Sequence, residues 1–373
     1  MEKVIFIEEY RGKIYNITVA RGDGIGPEIV DSALKVLRSA ISACGDSIAV
    51  NIVPVEIGWD AYKKYGTSIP KNSIDKISRS DGLILGPLSV GGYPQDDPGG
   101  PSPSGKIRKK FNLYANIRPI KFYGLNPYYN GKDIDFVILR ENTEGFYADR
   151  SLYLGNGEFM PSKDMAISLR IVSRKASRKI IAYAFSLAEK RKNKVTCVHK
   201  GNVLKVTDGL FLEEFYSESR RHPNVSAETR LVDSMSYHMI KEPEKFDLIV
   251  TTNMYGDILS DEAAFIAGSL GLCPSLNMGE KISMAQAAHG SAPDIAGKGI
   301  ANPMAEILSV ALLFQWLGVK NNDTDATLVW QIIQNSVNRC VLARERLTPD
   351  LGGDGTLLSI TEDIMENIKS CAP

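Results

Sequence analysis

Two aspartates four residues apart, Asp257 and Asp261, stand in FDLIVTTNMYGDILSDEAAFIAGSLG, just past an apolar run that reads as a buried strand ending near Asn253. A turn and a helix beginning near Asp257 would set both carboxylates on one helix face, beyond the C-terminal end of a strand. Ligand sites of α/β sheets gather at such ends. Paired carboxylates there suit Mg²⁺, which keeps waters and takes the rest of its shell from substrate oxygens. The competing reading is that Asp is favoured at helix starts by capping and the helix dipole. IRKKFNLYANIRP carries Arg108 and Arg118, and RENTEGFY supplies Arg140 and Tyr147 at the end of another apolar run. Arginines converging beside a metal would receive a polycarboxylate, because guanidinium binds carboxylate bidentately. Each arginine alone suits a surface, and Tyr147 alone suits amphipathic packing. Lys200, in HKGN directly after VTCV, is placed either for proton transfer or as a snorkelling side chain.

Two glycine-rich segments complete the candidates. RGDGIGPE (Arg21–Glu28) lacks the spacing G-x-G-x-x-G, so a Rossmann fingerprint is not supported. HGSAPDIAGKGIANP (His289–Pro303) has small residues that let a ligand approach the backbone. Asp294 there could hydrogen-bond a ribose diol, and its charge would repel a 2′-phosphate, favouring NAD over NADP. His289 equally suits a structural role.

The elements that must position these residues are short apolar runs alternating with longer amphipathic segments. GLILGP (Gly82–Pro87), FVILREN (Phe136–Asn142), VTCVHKGN (Val195–Asn202) and FDLIVTTN (Phe246–Asn253) read as buried strands. From Pro27, apolar residues fall at helical spacing. Asn302–Pro303 predicts the cap and first turn of a helix over MAEILSVALLFQWL, with Gly318 as its stop. Alternation of this kind predicts an α/β fold with a largely parallel central sheet. Residues 91–105 form a Gly/Pro/Ser-rich loop too long for a simple connector, and residues 150–172 alternate like an excursion of antiparallel strands. The basic run Arg174–Lys179 reads as a solvated helix face.

Composition narrows the class. The 373 residues suffice for one large domain or two moderate ones, and the formal net charge of zero does not suggest a nucleic-acid binder. Five scattered cysteines without a Cys-x-x-Cys pair exclude a dense disulfide framework and a thiolate zinc site, and point to a reducing, cytoplasmic compartment. No apolar stretch is long enough for a membrane span, and the first residues do not resemble a signal peptide.

In order along the chain, GDGIGPE, IRKKFNLYANIRP, RENTEGFY, HKGN, TTNMYGDILSDEAA, HGSAPDIAGKGIANP and TPDLGGDGT resemble the isocitrate/isopropylmalate dehydrogenase family of β-decarboxylating dehydrogenases. The likeness covers nearly the whole chain. It implies the two-domain fold of that family, with residues 1–113 and 270–373 in a large cofactor-binding domain, 114–269 in a smaller one, and a clasp at about 150–172. It implies dimers or larger assemblies whose active sites lie between domains and are shared between subunits. Arg108, Arg118 and Arg140 would hold the malate carboxylates. Asp257 and Asp261 of one subunit and Asp233 of the other would hold Mg²⁺ or Mn²⁺. Lys200, coupled to Asp233, would take the hydroxyl proton while hydride passes to NAD, and after loss of CO₂ Tyr147 would protonate the carbon. His289, Gly290, Ser291, Ala292, Asp294, Ile295 and Asn302 would line the adenosine half of the cofactor, Asp294–Ile295 resembling the NAD-preferring pair.

Substrate choice falls to the segment before the first arginine, PGGPSPSGKIR. Isopropylmalate enzymes place leucines at the positions aligned with Ser104 and Gly105, and these are absent. Ser102 and Ser104 with Lys106 favour a polar 3-substituent, as in isocitrate, homoisocitrate or a tartrate/malate-like acid, over 3-isopropylmalate. Gln286 stands where many relatives have glutamate. The alternatives are 3-isopropylmalate oxidation in leucine biosynthesis and a non-catalytic regulatory subunit of an NAD-isocitrate dehydrogenase assembly. The retained arginines, Tyr147, Lys200 and aspartates argue against the latter.

Overall fold

The computed structural model describes residues 13–89, 92–94, 97–98, 100, 102–147 and 157–370. Its apolar runs pair into one ten-stranded sheet. The sheet order is β2 (Ile48–Pro54), β1 (Lys13–Ala20), β3 (Gly82–Leu85), β12 (Ser283–Ala285), β11 (Leu276–Met278), β4 (Ala115–Lys121), β5 (Asp135–Glu141), β10 (Leu248–Thr251), β8 (Lys194–His199) and β9 (Ser226–Leu231). The first four strands are mutually parallel, as are the last four. The three pairings in the middle, β12–β11, β11–β4 and β4–β5, are antiparallel. Strands GLIL and LIVT are buried throughout, as expected where helices cover both faces of a parallel sheet. Leu83 and Leu85 point into a smaller core with Ile107 and Met284, while Ile84 between them joins the main core, the two-residue period of a strand. All four apolar runs singled out in the sequence are therefore strands.

The helices are α1 (Gly26–Ala43), α2 (Trp59–Tyr65), α3 (Lys71–Ile77), α4 (Pro103–Lys110), α5 (Arg174–Ala188), α6 (Thr207–Ser219), α7 (Val232–Lys241), α8 (Asn253–Ala267), α9 (Met304–Asn321), α10 (Thr324–Ala343) and α11 (Leu357–Ser370). α1 packs against α9, α10 and α11, so the two ends of the chain share one layer. Asn302 caps α9 as expected, its Oδ1 accepting from the Met304 amide at 3.0 Å. Gly318 does not end that helix. A Cβ there would lie 2.3 Å from the Thr327 hydroxyl, so the glycine permits close approach of α10, and the helix closes instead at Asn322 in the left-handed region.

The excursion predicted over 150–172 contains an antiparallel hairpin, β6 (Glu158–Ser162) and β7 (Met165–Ser168), with every residue of both strands exposed. Its first part, through Asn156, lies outside the described residues. The 91–105 loop ends earlier than its composition suggests, because α4 begins at Pro103. The basic run is the first turn of α5, where Arg174 and Arg178 meet Glu214 from α6.

Candidate active site

Arg118 and Arg140 leave the same face of the sheet. Arg118 is paired with Ile138 across the antiparallel β4–β5 ladder, two residues from Arg140, and alternate residues share a face. Helix α8 crosses that face, and Gly256 makes the crossing possible: a Cβ there would lie 2.6 Å from the Arg140 Cβ. Both guanidinium groups are buried and converge on one carboxylate. Asp257 Oδ1 accepts from Arg140 Nη1 and, at 3.2 Å, from Arg118 Nη2. Arg118 Nη1 also reaches Asp261 at 3.4 Å and the Ser260 hydroxyl, and its Nε donates to Asn116 Oδ1 at 2.6 Å. Arg140 Nε donates to Asn253 Oδ1 at 2.9 Å. The Tyr147 hydroxyl donates to Asp257 Oδ2 at 3.1 Å.

Helix α8 begins at Asn253, one turn earlier than the sequence suggests. Asp257 and Asp261 therefore lie inside the helix, and capping accounts for neither. Burial pushes the Asp257 carboxyl up, but Arg140, Arg118 and Arg108 outweigh it and hold the group below its ordinary range. Asp261 is raised, by burial first, against the pull of Arg118 and with the push of Asp257. Burial and the neighbouring Arg140 lower Arg118 to about 10, still cationic at neutral pH. Two partly exposed oxygen-donor carboxylates beside these cations fit a hard divalent ion, not a thiolate- or imidazole-seeking one.

Lys200 lies directly after β8 and Asp233 in the first turn of α7, and Lys200 Nζ donates to Asp233 Oδ1 at 2.6 Å. That hydrogen bond holds the Asp233 carboxyl below its ordinary value. Among the described residues no three His, Cys, Asp or Glu side chains assemble as a metal shell. One chain thus brings Asp257 and Asp261 together, and Lys200 and Asp233 together, as two separate pairs.

Ser104, on α4 with Arg108, is buried, and its Oγ accepts from Gln286 Nε2 at 3.2 Å. Gln286 also donates to the Gly86 carbonyl at 3.2 Å. Two of the positions singled out as departures from the family pattern, Ser104 and Gln286, therefore touch each other. Ser102 sits half-buried immediately before α4.

The 286–302 segment starts at the end of β12 and leads into α9. The Ala287 amide donates to the Glu306 carboxylate at 2.9 Å, and burial pushes that carboxyl up to about 8. His289 Nδ1 meets the Gly290 carbonyl at 2.9 Å, while its buried Nε2 has no partner among the described residues. Burial lowers the His289 pKa. An orphaned ring nitrogen in a loop with open space over Gly290, Gly297 and Gly299 fits a segment that receives a nucleotide. Asp294 is exposed, Ile295 half-buried, and Ala292 adopts φ of +37°. Asn302 is buried and already engaged, capping α9 and donating to Asp350 at 3.0 Å. The RGDGIGPE loop serves as a brace: the Asp23 carboxylate accepts from the Trp59 and Ser89 amides and the Tyr93 hydroxyl, and the Ile25 amide donates to the Ser291 carbonyl at 2.9 Å.

Sequence reasoning passed over Asn116, Asn253, Asp208 and Arg170. The first two lock the arginines from neighbouring strand ends, and only Asn253, closing TTN, carried any signal. Asp208 and Arg170 form a buried ion pair under Lys200.

The chain matches the family model described as isocitrate/isopropylmalate dehydrogenase over residues 16–368. It is 42% identical over 363 residues to the homoisocitrate dehydrogenase of Methanocaldococcus jannaschii, covering 95% of this chain and 97% of that one. It is 37% identical to the 3-isopropylmalate dehydrogenase of Saccharolobus solfataricus, covering 94% of this chain and 98% of that one. Among solved structures, the isocitrate dehydrogenase of Methylococcus capsulatus superposes with a TM-score of 0.82 at 38% identity, covering 95% of this chain and 99% of that one. No helix among the described residues is long and apolar enough to cross a membrane. With the ordered motifs, the mixed sheet and the arginine–aspartate cluster, these likenesses place the chain in the isocitrate/isopropylmalate dehydrogenase family, β-decarboxylating dehydrogenases of hydroxy acids.

Proposed function

We propose that the protein catalyses NAD-dependent oxidative decarboxylation of a 3-substituted malate with Mg²⁺ or Mn²⁺, and that isocitrate, homoisocitrate or a tartrate/malate-like acid is preferred over 3-isopropylmalate. The observation that carries the reaction class is the convergence of buried Arg118 and Arg140 on Asp257, with Tyr147 on its other oxygen. The polar preference draws support from the buried Ser104–Gln286 contact, since a hydroxyl in that place suits a carboxylate or hydroxyl better than an isopropyl group. The name of the 42% identical relative points the same way.

In this reading Arg108, Arg118 and Arg140 bind and orient the substrate carboxylates, their rigid forks fixing the reacting carbon. Ser102 and Ser104 face the 3-substituent. Asp257 and Asp261, with Asp233 from a second subunit, would hold the divalent cation, which when bound supplies Lewis-acid polarisation of substrate oxygens. Lys200, kept in place by Asp233, accepts the proton of the substrate hydroxyl, and Tyr147 delivers a proton to the carbon left by CO₂. His289, Gly290, Ser291, Ala292, Asp294, Ile295 and Asn302 frame the adenosine half of NAD, the Asn302 side chain acting by holding the loop. The working unit is a homodimer or larger, with residues 1–113 and 270–373 as one lobe, 114–269 as the other and the 150–172 segment as clasp. The separation of Lys200–Asp233 from Asp257–Asp261 within one chain supports sites completed by a partner. The compartment we propose is the cytoplasm.

The test is initial-rate NADH formation with Mg²⁺ or Mn²⁺ against isocitrate, homoisocitrate, 3-isopropylmalate, D-malate and tartrate. One strong response, abolished by chelation, is expected. A preference for 3-isopropylmalate would overturn the reading of Ser104, and silence across the panel from folded protein would overturn the activity.

A further inference from the structure

We propose that Asp208 is the positioning residue for Lys200, and that Arg170 anchors it to the β10–α8 connection, so that one buried ion pair references the lysine of one active site to the elements of the other. This rests on the reading above in which Lys200 acts in the partner subunit's site. Asp208 is fully buried, yet both its oxygens are engaged. Oδ2 accepts from the Lys200 backbone amide at 2.5 Å, and Oδ1 pairs with Arg170 Nη1. The Lys200 carbonyl in turn accepts from the Val203 and Leu204 amides at 3.0 and 2.9 Å, so the turn that launches the lysine stem is held from both sides. A lysine tip swings on a long flexible stem, and fixing the backbone from which it starts limits where the ammonium can go.

Arg170 ties this turn to the rest of the chain. Its guanidinium donates to Thr207 Oγ1 at 2.9 Å and to Thr252 Oγ1 at 3.1 Å. It also lies 5.2 Å from the Tyr255 ring centroid and 6.0 Å from that of Phe146. Thr252 directly precedes α8, which carries Asp257, and Phe146 directly precedes Tyr147. Removing either member of a buried pair strands the other charge without solvent, so the arrangement is held as a unit. The contacts of the pair among the described residues include neither the arginine–aspartate cluster nor the Lys200 ammonium, and its effect must pass through position.

The experiment uses Asp208→Asn, whose amide oxygen still fits the Lys200 amide but which lacks the charge for Arg170. In the full-length enzyme kcat should fall by on the order of 10–100-fold, the scale of a small misplacement of a reacting group. The dissociation constants for substrate and NAD⁺ should stay within about twofold, because Lys200 acts in proton transfer and not in binding. Subunit mixing then reads the route. Lys200→Ala mixed with Asp257→Asn, each nearly inactive alone, should regain about a quarter of wild-type activity, since half of randomly paired dimers carry one intact site. Asp208→Asn mixed with Asp257→Asn should regain a similar fraction, because the Asp257→Asn subunit lends a correctly braced Lys200. If the first mixture recovers and the second does not, Asp208 does not act through Lys200 and the proposal fails alone. If the first mixture stays silent, the shared-site reading fails and takes the proposal with it. Wild-type kcat in Asp208→Asn would also overturn it. Should that variant not fold, Arg170→Lys, which keeps the charge but not the fork, is put through the same mixtures with the same expectations.

Discussion

Arg118→Lys is the substitution whose outcome the structure specifies most fully. Arg118 is 5% exposed and uses its whole fork, with Nε on Asn116, Nη1 on Ser260 and Asp261, and Nη2 on Asp257. One ammonium cannot reach all of these, so at least two buried partners lose their donor, at about 1–3 kcal/mol each. A stability loss of about 2–6 kcal/mol follows, visible in urea unfolding as a lower midpoint with unchanged slope. The same environment acts on the charge. Burial and Arg140 bring the guanidinium from 12.5 down to about 10. The same burial and the same neighbour would hold a lysine ammonium below its ordinary range. The variant should therefore lose kcat/KM as pH rises through that lowered value, a loss absent from the wild type. Its stability must move the other way. The folded lysine holds its proton less tightly than the unfolded one, so the unfolded state binds more protons between the lowered folded value and the ordinary one of about 10.4, and stability rises with pH across that window. The assay pairs a kcat/KM profile from pH 6.5 to 9.5 with urea unfolding at the same pH values. A variant with wild-type kcat/KM at every pH would refute the assignment of Arg118 to the substrate. Activity and stability falling together with rising pH would refute the account of its burial.

Asp257→Asn should leave the fold intact by circular dichroism and reduce metal-dependent turnover by roughly 10³-fold, with Mn²⁺ binding weakened in water-proton relaxation; a folded variant with full activity removes the metal assignment. Asp294→Asn should narrow the preference for NAD⁺ over NADP⁺ by about tenfold in kcat/KM, through loss of repulsion at the 2′-phosphate, and a native preference for NADP⁺ would contradict it. The His222 imidazolium is held up by the hydrogen bond it donates to Glu189 and then by Glu218. Its contribution to stability is complete below about 6.5 and is lost as pH rises through the raised folded value. His222→Gln should flatten the decline of the melting temperature across that range, and an unchanged slope would show that the charge is not coupled to folding.

Much of this architecture was legible because its signals are local. The buried strands GLIL and LIVT announce themselves as unbroken apolar runs, and the Asn302–Pro303 pair marks the start of α9 by cap chemistry alone. Two local readings failed for a tertiary reason. Gly318 resembles a helix stop but serves the approach of α10, and α8 gains an extra turn before Asp257, starting at the Asn253 that locks Arg140. The convergence of Arg118, Arg140 and Asp257 depends on antiparallel register between β4 and β5, which no spacing along the chain encodes. Arg170 and Asp208 were invisible for the same cause: each is an ordinary charged residue until the fold buries them against each other. The order of motifs made the family readable, while the contact between Ser104 and Gln286 needed three dimensions.

The interleaving of the sheet also dictates how the molecule can be born. Strands β4, β5, β8, β9 and β10 come from one unbroken stretch of chain and can zip together as soon as it emerges. In the other half β1, β2 and β3 can also pair early, but β11 and β12, which join the two groups, come much later in the chain. Gly82 finds its partner in Ser283, and Ala115 finds its partner in Met278, so β3 and β4 each present a bare edge until that late hairpin is made. Nascent chains therefore pass through a stage with two adhesive borders, slow to close because the loop that closes them is long. Ribosomal stalling or truncation before Leu276 would leave a species prone to edge-to-edge aggregation, and the six residues of β11 and β12 act as the zipper pull that ends that exposure.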